Sequence, residues 1–252
     1  MGVLLVTGAS RGIGAEICRL AATQGWAVAL NYTQSAEKAE AVAEAIRAGG
    51  GTAMAVQADV GDAVAVEEMF RQVDEELGPV TALVNNAGIM GGQGPVDELD
   101  VAATTRLFQV NVLGPFLCAS SAIRRMAKKH GGQGGAIINI SSAAAKHGGP
   151  GSYVDYAASK GAVDVFTVGL AREQAAEGIR VNCVRPGATM TEMSVEWAEE
   201  HPEWLDWVMA QVPMKRPGEM HETAKAVLWL LSNEASYVTG AILDVNGGWV
   251  SP

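Results

Sequence analysis

Short β-type runs and helix-type segments alternate from one end of this chain to the other, and that alternation leaves few architectures open. Residues 3–7 form an apolar run, followed by Ile13, Ile17, Leu20 and Ala21 at helical spacing. Strand-like runs recur at 27–31, 52–57, 80–85, 136–141, 179–184 and 241–245. Helical patterns lie between them at 36–48, 63–77, 101–110, 115–129, 156–177 and 219–231. Within 63–77, Val66, Met69, Phe70 and Val73 share one face; within 219–231, Ala224, Val227, Leu228 and Leu231 do the same. This order predicts a parallel sheet covered by helices on both faces, with right-handed crossovers. The 252 residues hold no repeat, low-complexity stretch or Pro/Ser-rich linker, which predicts one α/β domain over 1–252.

Composition narrows the function. Apolar residues make up 48% and charged ones 18%, the reverse of a disordered chain. A net charge of −10 argues against general nucleic-acid binding, because an acidic surface repels phosphate backbones. The one basic cluster, Arg124, Arg125, Lys128 and Lys129, reads as the solvated end of a helix, or else as a docking patch for an acidic partner. Cys18, Cys118 and Cys183 are far apart with no CxxC pair, which predicts core thiols in a reducing, cytoplasmic setting. The first residues lack a basic region, and Val6 breaks the myristoylation pattern after Gly2. No apolar stretch approaches the ~20 residues a membrane span needs, so no membrane partner is expected.

Gly8, Gly12 and Gly14 fall between the first strand and the first helix, in Thr-Gly-Ala-Ser-Arg-Gly-Ile-Gly. Glycines there let the backbone approach a pyrophosphate, and the helix N-terminus offers unpaired N–H groups. Ser10, Arg11 and Ile13 belong to the same loop. At the end of the second strand, an acid would bind the ribose 2′-hydroxyl of NAD. Here the residues are Asn31, Tyr32, Thr33, Gln34 and Ser35, none of them acidic. Arg11 suits a 2′-phosphate, so NADP(H) is the expected cofactor, with NAD(H) as the alternative.

Tyr156 and Lys160 are four apart on a predicted helix and share a face. An ammonium beside a phenol favours the phenolate, which suits acid/base work. Tyr156 is the only one of the four tyrosines with a lysine at that spacing.

These motifs, in this order, resemble the short-chain dehydrogenase/reductase superfamily along nearly the whole chain. Residues 7–14 resemble its TGxxxGxG loop, Asp59 and Val60 its adenine contact, and Asn85, Asn86, Ala87 and Gly88 its NNAG segment. Asn111, Ser142, Tyr156 and Lys160 resemble its catalytic tetrad. Pro186, Gly187, Thr189 and Thr191 resemble the turn on the nicotinamide side. The resemblance implies a Rossmann-type, doubly wound, mainly seven-stranded parallel sheet. It also implies hydride transfer between the nicotinamide and a carbonyl or alcohol. Ser142 and Tyr156 would hold the substrate oxygen, Tyr156 would move the proton, and Lys160 would hold a ribose hydroxyl. Asn111 would position a water. The serine is ambiguous: the family commonly has it 13 residues before the tyrosine, and here Ser142 is 14 before and Ser141 is 15 before. Ser142 needs one extra loop residue and is preferred.

The substrate is not named by these motifs. A substrate lid is expected at about 190–215, carrying Met190, Met193, Trp197, Trp204, Trp207 and Met209. Met90, His147, Tyr153 and Ala188 are further pocket candidates. The four histidines show no ligand spacing, so no metal is expected. An oxidative sugar or alcohol dehydrogenase and a 3-oxoacyl-carrier-protein reductase are the enzymatic alternatives. Against the latter, Glu177 stands where many such reductases have an arginine. A non-catalytic NADP(H)-binding regulator is the alternative of another class. Family members usually assemble as homotetramers or homodimers, through helices corresponding to 99–130 and 156–177.

Overall fold

Strand β1 (Val3–Val6) is buried along its whole length and forms the centre of the sheet. It pairs in parallel with β2 (Ala27–Tyr32) on one side and β4 (Val80–Asn85) on the other. Beyond them lie β3 (Thr52–Gln57), β5 (Gly135–Ile140), β6 (Ile179–Pro186) and, at the far edge, the last strand (Ile242–Val245). The strands run in the order β3-β2-β1-β4-β5-β6 and then the last strand, and every pairing is parallel. The order reverses between β1 and β4, and an open α/β sheet carries its ligand crevice at the carboxyl ends of such strands. The computed structural model describes residues 2–192, 194, 195, 198 and 203–249.

Successive residues of β1 point to opposite faces and feed two separate cores. Leu4 and Val6 pack with Ile17, Cys18 and Ala21 of α1 (Gly12–Thr23), Val42 and Ile46 of α2 (Ala36–Ala48), and Ala224, Val227 and Leu228 of α9 (Met220–Leu231). Val3 and Leu5 pack with Val66, Met69, Phe70 and Val73 of α3 (Ala63–Leu77), Cys118 and Ala122 of α5 (Gly114–Met126), and Leu170 of α7 (Val154–Gln174). The strands are apolar runs because both faces of the sheet are covered. All three cysteines are buried and unpaired. Burial pushes the Cys118 thiol up to about 12. Among the described residues, no helix is long and apolar enough to cross a membrane.

Two features depart from the sequence expectation. The helices expected at 101–110 and 115–129 are one continuous run: α4 (Val101–Phe108), a π-helical turn (Gln109–Leu113) and α5. Pro115, at the start of α5, has no N–H to return to the preceding turn, so a wider turn costs little there. The second is a small parallel pair, β7 (Thr189–Met190) with β8 (Gly218–Glu219), at the two ends of the expected lid. Between them lies α8 (Glu203–Gln211).

The basic cluster at the end of α5 is not a free patch. Arg124 pairs with Glu67, and Arg125 bonds Asp74 at 2.7 Å while lying over the Phe70 ring. Glu177 accepts the Lys129 N–H at 2.8 Å.

Candidate active site

The glycine loop leaves β1 and turns sharply into α1. Gly8 has a φ of +63°, and a Cβ there would come within 2.8 Å of the Ala87 backbone. A Cβ on Gly14 would meet Asn86 Nδ2 at 2.5 Å and the Gly8 carbonyl at 2.8 Å. The loop is therefore clamped onto the end of β4. Thr7 Oγ1 accepts the N–H groups of Asn86 and Ala87, each at 3.0 Å. Asn86 Nδ2 returns bonds to the carbonyls of Thr7 and Gly8.

The first turn of α1 has no side-chain cap. Instead, Glu192, which follows β7, accepts the Gly12 N–H at 3.1 Å. A carboxylate thus stands where the unpaired amides and the helix dipole favour an anion, and a pyrophosphate fits the same donors.

A cleft of about 480 Å³ opens at this switch point. Gly8, Ser10, Arg11 and Gly12 line it on the loop side, Tyr32 and Thr33 at the end of β2, and Asp59 and Val60 after β3. Asn86, Ala87, Gly88, Arg106, Thr191 and Glu192 also line it. Arg11 is exposed at the rim and has no ion-pair partner among the described residues. Asp59 is fixed at both oxygens, by Arg106 Nη2 at 2.6 Å and the Gly61 N–H at 2.9 Å.

Several of the expected cofactor residues do not line this cleft. Asn31 is fully buried; its Oδ1 accepts the Gly8 N–H at 3.2 Å and its Nδ2 donates to the Ala58 carbonyl at 3.0 Å. It positions the glycine loop and does not line the cleft. Ile13 packs against the core on the α1 face. Pro186 is buried, with its carbonyl holding the Ala143 N–H at 2.9 Å, and Thr189 lies in β7 with its hydroxyl on the Gly187 carbonyl. Gly187 is close-packed: a Cβ there would meet Asn246 at 2.8 Å. Sequence reasoning missed Arg106 and Glu192, which no motif marks.

Three of the four residues of the expected tetrad, Asn111, Tyr156 and Lys160, come together beside Gly88. Tyr156 and Lys160 sit in the first two turns of α7. Lys160 is buried, and its Nζ donates to the Ile140 carbonyl at 2.9 Å. That Nζ lies 5.6 Å from the centroid of the Tyr156 ring, with no carboxylate paired to it among the described residues. A Cβ on Gly88 would be 3.3 Å from Lys160 Nζ and 3.5 Å from Asn111 Oδ1. Asn111, in the π-turn, clamps Ile89 from both sides: Oδ1 accepts its N–H at 2.8 Å, and Nδ2 donates to its carbonyl at 2.9 Å.

The adjacent serines differ sharply. Ser141 is buried, and its hydroxyl donates to the Lys160 carbonyl at 3.1 Å. Ser142 is half-buried, and its Oγ accepts the Ala144 N–H at 3.1 Å, leaving its proton available.

Of the substrate candidates, Tyr153 and His147 lie near Tyr156. Tyr153 meets the Tyr156 ring edge-on at 6.2 Å and the His147 ring at 5.9 Å. Met90 is exposed and Met190 lies half-buried in β7. Met193 and Trp197 fall outside the described residues; the backbone of Trp204 belongs to α8, and its side chain is not among those described. Among the described residues, no group of His, Cys, Asp or Glu is arranged to hold a metal ion.

Known proteins share this architecture. Residues 8–250 match the family model described as enoyl-(acyl carrier protein) reductase. The chain is 50% identical to the uncharacterized oxidoreductase YgfF of Escherichia coli K12, over 98% of this chain and 100% of that one. It superposes on a short-chain dehydrogenase/reductase from Serratia marcescens with a TM-score of 0.91 and 37% identity, covering 99% and 98% of the two chains. A blue fluorescent protein from a metagenomic library, solved in complex with NADPH, gives a TM-score of 0.89 and 37% identity, covering 99% of this chain and 98% of that one. Sheet order, glycine loop and relatives agree, and the chain belongs to the short-chain dehydrogenase/reductase superfamily of oxidoreductases.

Proposed function

We propose that this oxidoreductase works with NADP(H) on a small carbonyl or alcohol substrate, with Tyr156 as the acid/base. The reading is carried by the Tyr156 phenol lying beside the buried, carboxylate-free Lys160 ammonium, at a cleft that suits a dinucleotide. The bound nicotinamide supplies or accepts the hydride. Tyr156 donates its proton to the substrate oxygen in reduction and takes it back in oxidation. Ser142 gives that oxygen a second hydrogen bond. Lys160, anchored on the Ile140 carbonyl, holds positive charge where the phenolate forms. Asn111 fixes the Ile89 backbone and orders the water path that returns a proton to Lys160.

The cofactor preference rests on the rim at β2. Arg11 has no ion-pair partner among the described residues, and the neighbouring wall is Tyr32, Thr33, Gln34 and Ser35, with no carboxylate. A guanidinium with hydroxyls nearby suits a 2′-phosphate. The NADPH complex of the metagenomic relative supports the same choice.

The segment at about 190–215 acts as the substrate lid, and β7 with β8 forms its base. The matched family model's description favours a carrier-protein substrate as the second reading. The acidic Glu177 and the ion pairs that already occupy Arg124 and Arg125 weigh against an acidic carrier docking there. Assembly as a homotetramer or homodimer is supported by the apolar face of α4, α5 and α7, where Val165 is 75% exposed and Phe116 stacks on Phe166. The buried free thiols fit a cytoplasmic setting.

A panel of ketones, aldehydes and quinones, assayed with both cofactors, tests the reading. NADPH consumption with some of them is expected. A higher kcat/KM with NADH overturns the cofactor assignment, and cofactor binding without turnover of any carbonyl overturns the substrate class.

A further inference from the structure

Five aromatic rings run in contact from the catalytic tyrosine toward α8. Tyr156 and Tyr153 meet edge-on at 6.2 Å, and Tyr153 meets His147 edge-on at 5.9 Å. His147 stacks on Trp249 at 5.0 Å with 24° between the planes, and Trp249 meets Trp207 edge-on at 5.5 Å. The rings come from separate places in the chain: the start of α7, the short helix α6 (Ala144–His147), the residues after the last strand, and α8. None of the five is buried, and Trp207 is 46% exposed. The sheet and its two cores use almost no such rings, since Phe70 is the only aromatic among the described buried core residues. Rings that touch one another and still present accessible surface beside a catalytic group can serve as one wall of a ligand site.

Two details define what that wall accepts. His147 Nδ1 accepts the Gly149 N–H at 3.2 Å, so the imidazole stands as a neutral flat ring. Burial also pushes its pKa down from the ordinary value. Gly149 holds this corner in shape: its φ is +56°, and a Cβ there would strike the Tyr153 ring at 2.4 Å. The second detail is charge. Among the described residues of 191–212, Glu192, Glu203 and Asp206 are acidic and none is a lysine or arginine. Asp206 immediately precedes Trp207 on α8. A substrate bearing a carboxylate or phosphate would find repulsion from these groups and no cationic partner among the described residues of this segment.

We propose that this wall selects a carbonyl compound carrying an uncharged aromatic ring, with His147 and Trp249 as the specificity-determining residues. The carbonyl oxygen is fixed at Tyr156 and Ser142, so a ring attached to that carbonyl lies against Tyr153 and His147. Edge-on and offset contacts at 4.5–7 Å favour an aromatic ring over a saturated ring of equal size. The proposal rests on the carbonyl-reductase reading above.

The test compares acetophenone, cyclohexyl methyl ketone and 4-acetylbenzoate with NADPH, in the native protein and in Trp249→Leu and His147→Leu. In the native protein, kcat/KM for acetophenone should exceed that for each of the other two by about fivefold to tenfold. The leucine variants should bring the acetophenone-to-cyclohexyl ratio to within about twofold of unity while the Kd for NADPH stays unchanged. Equal kcat/KM for acetophenone and cyclohexyl methyl ketone in the native protein overturns the proposal, as does an unaltered ratio in both variants. Calorimetric binding of the same ketones to the NADP⁺ complex separates the two levels. If no ketone turns over but acetophenone binds selectively, the wall assignment stands and the carbonyl-reductase reading falls. If no ketone turns over and binding is unselective, the wall assignment falls as well.

Discussion

The carboxylate of Glu192 and the backbone N–H of Gly12 are joined by a 3.1 Å hydrogen bond across the mouth of the glycine loop. One residue comes from the segment after β7 and the other opens α1, so the contact bridges the mouth of the cleft between that segment and the glycine loop. A dinucleotide pyrophosphate needs the same amides. Glu192 therefore competes with the cofactor and adds like-charge repulsion. Glu192→Ala should tighten NADPH binding by roughly 1 kcal/mol, a factor of about five, because the contact is solvent-exposed. Fluorescence titration with NADPH checks this, and weaker binding in the variant would show that Glu192 serves the bound state.

Removing the Tyr156 hydroxyl tests the acid/base role directly. Tyr156→Phe should lower kcat by about 10²–10⁴-fold, the usual worth of a positioned general acid. Its Kd for NADPH should remain that of the native protein. Retained turnover would mean that another group protonates the substrate.

The two serines predict opposite phenotypes. Ser142→Ala should lower kcat with little change in Tm, because its hydroxyl bonds only the neighbouring Ala144 N–H. Ser141→Ala removes the buried bond to the Lys160 carbonyl and should cost about 1 kcal/mol, or 2–4 °C in Tm, with a smaller effect on kcat. A thermal melt and a steady-state assay on both variants decide between them. A silent Ser142→Ala would move the role to its neighbour.

Arg11→Ser should reduce the NADPH-to-NADH ratio of kcat/KM by about tenfold or more, since a charge-assisted bond to a phosphate is lost while the NADH complex keeps its contacts. An unchanged ratio would place the discrimination on Tyr32, Thr33 and Ser35.

Much of this structure was legible in the sequence, for reasons that also explain the misses. Strands buried on both faces read as apolar runs, and the 3.6-residue spacing of Val66, Met69, Phe70 and Val73 marked the inward face of α3. The glycine loop and the Tyr156–Lys160 pair were visible because their chemistry requires local spacing. Asn31 reads as a ligand contact because it is a polar residue at a strand end, whereas here its amide bonds the backbone at the ends of β1 and β3. Arg106 and Glu192 reach the cleft from distant helices and turns, and nothing in their own neighbourhoods indicates it. The stacking of His147 on Trp249 is likewise a product of how α6 and the final strand exit the sheet together. The two-residue strands β7 and β8 carry no period at all.

That smallest pair has a wide consequence. Thr189 pairs with Gly218 and Met190 with Glu219, so the chain leaves and re-enters the body at neighbouring points. The stretch between them also touches the body elsewhere among its described residues, through Glu192 on the Gly12 N–H, Trp207 against Trp249, and the buried side chains of Val208 and Val212. Its length and sequence can change while the seven main strands keep their register, because loop-closure cost grows only slowly with length. Under the proposed lid role, transplanting the segment between relatives should transfer substrate preference, provided the transplant keeps the buried contacts of Val208 and Val212.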